Sequence, residues 1–232
     1  MTEAEWLNCT DPEPMLRFLK GRASDRKLRL FAVACCRRNA HFVESWYRHL
    51  ADVTERYADG QATGEELTAA REAADDPDWI PGRAFVSAAF CGPADPIVAA
   101  TDAADDSAYA AADNTLRASQ GSSPDSDPEV WSPDDENPAW IAANQAERAV
   151  QCALLRDIFG NPFRPIAAAP SQLTPAVIAM GIYNDRAFER MPELADALEK
   201  AGCTERDLLE HCRGPGPHVR GCCVVDLILG KE

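Results

Sequence analysis

Apolar side chains recur every third or fourth position through most of this chain, which is the period of helices with one buried face. The clearest stretch is residues 25–38. There Leu28, Phe31, Ala32 and Cys35 fall at i, i+3, i+4 and i+7, while Arg26, Arg29 and Arg37 lie on another face. Start signals punctuate the pattern. Thr2-Glu-Ala-Glu5 and Thr63-Gly-Glu-Glu66 are capping boxes, Asp11-Pro12 pairs an N-cap with a proline at the first helical position, and Ser24 precedes the basic helix. The spacing predicts helices over residues 2–7, 12–21, 25–38, 41–59, 63–75, 81–90, 96–117, 138–159, 175–183, 191–201 and 204–212.

Two stretches break or blur the period. Residues 119–137 hold Gly121, Pro124, Pro128, Pro133 and six acids, a composition too polar to pack, and read as a mobile acidic loop. Residues 219–230 carry the apolar run Val224-Val-Asp-Leu-Ile-Leu229, whose length suits a strand as well as a helix. No partner strand is legible elsewhere, so helix is the expectation. The fold class that follows is all-α: a single-domain multi-helix bundle over residues 1–232, built of short capped helices, with the loop inside it.

Charge removes several functions. The chain has 232 residues, 23 Lys and Arg against 38 Asp and Glu, and a formal charge of −15, which disfavours nucleic acid and anionic lipid surfaces. No apolar run approaches a membrane span of roughly 18 residues, and the acidic start lacks the pattern of a signal peptide. A cytoplasmic location with no membrane is expected. The charge is unevenly placed. Residues 13–50 carry nine basic against three acidic side chains, and residues 101–147 carry eleven acidic against one basic. This reads as pairing within the chain or as two docking faces.

Candidate chemistry concentrates between Cys203 and Cys223, which holds four of nine cysteines and two of four histidines around Gly214-Pro-Gly-Pro217. Cys203, His211, Cys212, His218 and Cys222 are candidate zinc ligands, since zinc takes sulfur and nitrogen donors at the corners of a tetrahedron. There is no CxxC knuckle, however, and adjacent helical residues point about 100° apart, so helix, turn and buried thiols explain the block as well. Arg213, His218 and Arg220 form a candidate anion site beside free helix-start amides. Cys212 beside His211 and Cys36 near His41 are the local hints of a thiol nucleophile, in no recognisable motif. Asp125, Asp127, Glu129 and Glu136 echo a calcium loop, but Val130 stands where that loop requires glycine. A helix-turn-helix reading of residues 194–212 fails on Glu205, Asp207 and Glu210, which repel phosphate. No Walker, dinucleotide, HExxH or GxSxG motif is present.

Two segments resemble a known family. Ser24-Asp-Arg-Lys-Leu-Arg-Leu-Phe-Ala-Val-Ala-Cys-Cys-Arg-Arg38, followed by Glu55-Arg-Tyr-Ala-Asp-Gly60, is similar to a family of uncharacterised proteins abundant in planctomycete bacteria. Phe159-Gly-Asn-Pro-Phe-Arg-Pro165 and His211-Cys-Arg-Gly-Pro-Gly-Pro-His-Val-Arg-Gly-Cys222 resemble its C-terminal signature. The resemblance implies a lineage and no mechanism. Cys223 stands where those relatives usually carry Trp, and Asn39-Ala40 where an apolar residue and Trp are expected, which implies a packing role for Cys223.

The function expected from these signals is a protein-interaction or scaffold module without a cofactor or catalytic residue. An unidentified protein partner would meet Arg26, Arg29 and Arg37 or the corner from Arg213 to Arg220. Trp46, Tyr47, Trp79 and Trp131 are candidate aromatic anchors. The competing expectation is a zinc-binding or hydrolytic protein centred on the Cys203 to Cys223 block.

Overall fold

Every regular element among the described residues is helical. The computed structural model describes residues 1–38, 45–74, 95–119, 136–166 and 173–231. Its helices are α1 (Glu3–Asn8), α2 (Pro12–Leu19), α3 (Asp25–Arg38), α4 (Ser45–Ala58), α5 (Gly64–Ala74), α6 (Pro96–Ser119), α7 (Pro138–Phe159), α8 (Leu173–Asp185), α9 (Met191–Lys200), α10 (Arg206–Arg213) and α11 (Cys223–Leu229). A 3-10 turn, Phe188–Arg190, leads into α9. The all-α expectation is met, and the ambiguous last segment is helix from Cys223 onward. The helix expected over residues 81–90 lies outside the described residues. So do the start of the one expected over 41–59 and nearly all of the acidic loop at 119–137, its calcium-loop echo included. The side chains of Trp46, Tyr47, Trp79 and Trp131 lie outside them as well.

The start signals act as the sequence implies. In both capping boxes the reciprocal bonds form: Glu5 N–H donates to Thr2 Oγ1 at 3.3 Å, and Glu66 N–H donates to Thr63 Oγ1 at 3.1 Å. Asp11 Oδ1 accepts from Glu13 N–H at 3.1 Å. These contacts satisfy amides that no preceding turn can reach.

One domain is legible in the sequence, whereas the contacts group into two compact units: Cys9–Cys152, and Met1–Asn8 with Ala153–Glu232. The division falls within α7, between Cys152 and Ala153.

In the unit Cys9–Cys152, α3 packs against α4 and α6, and α4 against α5. Leu28, Phe31, Ala32 and Cys35 are buried as the stripe predicts, but Leu30, Val33, Ala34 and Cys36 are buried too. Neighbours on more than one side enclose α3. One face of α6 is built of Ala100, Ala103, Ala104, Ser107, Ala108 and Ala112, small enough for close helix approach. Ser107 Oγ donates to the Cys35 carbonyl at 3.0 Å. At the end of α3, Arg38 makes a two-pronged bond to the buried Glu147 at 2.6 and 2.9 Å. This is the pairing within the chain that the charge pattern allowed.

The other unit packs α9 against α10 and α8, and α11 against α8. Its core joins Ile182, Leu194, Leu198, Leu208, Val224 and Val225 with the thiols of Cys203, Cys212 and Cys222. No helix among the described residues is long and apolar enough to cross a membrane.

Candidate metal centre

Four polar side chains converge at the edge of that second core. Asp157 comes from the last turn of α7, His211 from α10, His218 from the turn after it, and Cys222 from the residue before α11. The turn is made by Gly214-Pro-Gly-Pro217, where Gly216 has φ 81° and Gly216-Pro217 is cis. A Cβ on Gly216 would sit 2.9 Å from the His218 amide nitrogen, so this position needs glycine to bring the imidazole in. Each of the four residues offers one donor atom, and all four atoms lie within 4.8 Å of one another.

The contacts are specific. Asp157 Oδ1 lies 2.7 Å from His218 Nδ1 and 3.1 Å from His211 Nε2. Asp157 Oδ2 accepts from Val219 N–H at 3.0 Å. Cys222 Sγ lies 3.2 Å from the same His211 Nε2. The two imidazoles meet edge to face with centroids 5.0 Å apart. Side-chain exposure is 2% for Asp157, 9% for His218 and 20% for His211, and Cys222 as a whole is 0% exposed. His218 Nε2 is enclosed with no hydrogen-bond partner among the described residues, a cost a native interior rarely leaves unanswered.

Burial and charge pull these groups in opposite directions. Burial alone would raise the Asp157 pKa, but hydrogen bonds from His211 and His218 outweigh it and hold the carboxyl below its ordinary value. Burial works against the charged form of His211, yet the bond to Asp157 and the surrounding negative charge raise its pKa. Burial, then the hydrogen bond with Cys223 and the Asp157 charge, push the Cys222 thiol well up. A neutral thiol is a poor donor, so a bound cation is what would make it a thiolate.

The donor set suits zinc. Bonds of ~2.0 Å to nitrogen or oxygen and ~2.3 Å to sulfur separate donors at tetrahedral corners by about 3.3–3.6 Å. The contacts at 3.1 and 3.2 Å are close to such edges. The 2.7 Å contact would open by roughly 0.6 Å. Through Nδ1, His218 would share the ion with Asp157. Through the enclosed Nε2, it would be a donor oriented by that carboxylate, a common arrangement around zinc.

Asp157, His211 and Cys222 do not assemble a thiol nucleophile. Such a site needs a histidine with the acid on one ring nitrogen and the thiol on the other. Here Asp157 and Cys222 both face His211 Nε2, and the thiol is sealed from solvent.

His211, His218 and Cys222 are thus brought together, and the other two expected ligands, Cys203 and Cys212, stand outside the group. Cys212 follows His211 around the helix and points into the apolar core, where burial first, and then nearby negative charge, push its thiol up to about 12. Cys203 is buried in the same core. Asp157 takes their place. Its only signal in the sequence is an acid beside Leu154, Leu155 and Ile158, all of them buried. Cys223 packs its sulfur where a Cβ on Gly160 would be 3.3 Å away, in keeping with a packing role.

The basic candidates are each held by neighbours in their own unit. Arg26 pairs with Asp59 at 3.0 Å, and Arg37 with Asp52 at 2.6 Å and Glu55 at 3.0 Å. Arg29 is buried, with its guanidinium 5.3 Å from the Tyr57 ring centroid. Arg213 reaches Asp196 and Glu199 on α9. Arg220 donates to the carbonyls of Tyr183 and Asn184 at the end of α8. Arg213, His218 and Arg220, the residues of the expected anion site, thus serve different neighbours.

Compared with family models, with curated proteins and with solved structures, the chain matches none. What its centre does must be argued from the donors.

Proposed function

We propose that this chain is a zinc-binding protein whose ion is held by Asp157, His211, His218 and Cys222. The observation that carries the reading is the convergence within 4.8 Å of four mixed donors drawn from the stretch between Asp157 and Cys222. The positions of His218 Nδ1 and His211 Nε2, 2.7 and 3.1 Å from Asp157 Oδ1, support it, since both ring nitrogens face the oxygen that would share the ion. The ion is structural in this reading. Three of the four residues are nearly sealed, leaving substrate no route to a fourth coordination position of the kind catalytic zinc keeps open. Its work is to tie the end of α7 to the turn between α10 and α11. Zinc binding is preferred to an interaction role for the basic helix, because Arg26, Arg29 and Arg37 already hold acids and an aromatic ring of their own unit.

Cobalt substitution tests the donor set. Tetrahedral Co²⁺ bound through one thiolate is expected to give strong visible d–d bands and a sulfur charge-transfer band in the near ultraviolet. In Cys222→Ser the charge-transfer band should vanish, whereas Cys212→Ser should keep it. Weak octahedral cobalt absorption in the parent protein would defeat the reading.

A further inference from the structure

We propose that the metal centre and the docking of α1 are coupled, so that an ion bound at Asp157, His211, His218 and Cys222 clamps residues 1–8 onto their unit and its loss loosens them. This inference rests on the zinc reading and adds a regulated element to it. With six residues, α1 is far below the length at which a helix holds itself together in water. It buries one side chain, Trp6, which is 0% exposed, and depends on what it is anchored to.

Those anchors flank one of the donors. Arg156, the neighbour of Asp157, donates to the Trp6 carbonyl at 3.1 Å. Trp6 Nε1 donates to the Gly160 carbonyl at 3.0 Å. Asn161 Nδ2 donates to Glu3 Oε1 at 2.8 Å, and Arg164 pairs with the same oxygen at 2.8 Å. A Cβ on Gly160 would lie 3.3 Å from the sulfur of Cys223, next to the donor Cys222. The chain from Arg156 to Arg164 therefore meets both α1 and the start of α11, with Asp157 within it and Cys222 beside Cys223.

Asp157 and Cys222 are linked through His211 Nε2, at 3.1 and 3.2 Å, and a metal would replace that relay with two strong bonds to one atom. Holding both donors fixes the spacing of Gly160 and Cys223, and with it the seat of Trp6. Binding energies coupled in this way are reciprocal. If zinc strengthens the docking of α1, the docking of α1 strengthens zinc by the same factor.

The reciprocal direction is the test, because it touches no donor. Zinc affinity is measured on the full chain by competition with a chromophoric chelator, for the parent protein, Trp6→Ala, Glu3→Ala and Leu198→Ala. Leu198 is a buried core residue of the same unit with no part in the clamp, so it reports general destabilisation. Coupling predicts affinity about tenfold weaker in Trp6→Ala and several-fold weaker in Glu3→Ala, with Leu198→Ala within twofold of the parent. Should Trp6→Ala fail to fold, Glu3→Ala carries the comparison. Parental affinity in Glu3→Ala and in any folded Trp6→Ala would overturn the coupling while leaving the zinc site standing. A parent protein that binds no zinc would overturn both.

Discussion

Stripping zinc with a strong chelator is expected to lower the melting temperature of the unit containing residues 153–231 by about 15–30 °C. An ion present at a thousand times its Kd stabilises the folded state by about 4 kcal/mol, and in a unit of 60–100 residues each kcal/mol moves Tm by roughly 4–8 °C. Hydrogen exchange read by mass spectrometry locates the effect. Peptides from 153–231 should lose protection, and those from 9–152 should keep theirs.

The pH dependence should change sign with the ion. In stripped protein, the depressed pKa of Asp157 contributes stability above its unfolded value of about 4, lost as pH falls through the folded value. The raised pKa of His211 contributes stability that is complete below about 6.5 and lost as pH rises through the folded value. Above about pH 6 the histidine governs, and stripped protein should become less stable as pH rises. Loaded protein should become more stable across the same window, because protons compete with zinc for imidazole and thiol. Parallel slopes with and without chelator would contradict zinc occupancy.

Asp157→Ala is expected to cost about 3–5 kcal/mol and to weaken zinc binding at least about 100-fold. The variant removes the acceptor for both imidazoles and for the Val219 amide. Removing one partner of a buried charged pair costs about 3–5 kcal/mol. Loss of partners around a zinc site weakens the metal by about 10–100-fold, and loss of a donor exceeds that. Denaturant melts with and without chelator separate the two contributions. In stripped protein the cost should be smaller by about 2.7 kcal/mol, the share that a 100-fold loss of affinity contributes when zinc is present. An equal cost in both conditions would make Asp157 a hydrogen-bond acceptor and nothing more.

The helices were legible because their signals are local. Thr2, Asp11 and Thr63 satisfy amides two or three residues away, and the stripe of α3 repeats within four turns. What surrounds α3 was not legible, since burial of Leu30 and Val33 depends on helices far along the chain. For the same reason Arg29 and Arg37, which look solvated in sequence, are occupied by Tyr57 and Glu55. The metal centre was half legible. His211, His218 and Cys222 fall within twelve residues around one turn, but cysteine type alone does not separate a donor from a core thiol such as Cys203 or Cys212. Asp157 is brought in by tertiary packing, and no short spacing announces it.

Elemental analysis of untagged protein, purified without chelator and scored as zinc per chain, tests the central claim most directly. About one zinc per chain is expected in the parent and in Cys212→Ser, and near none in Asp157→Ala and Cys222→Ser, as a four-donor structural site requires. Zinc absent from the parent after equilibration with excess Zn²⁺ would contradict it, leaving Asp157 and the two histidines as a hydrogen-bonded network that holds the turn by itself.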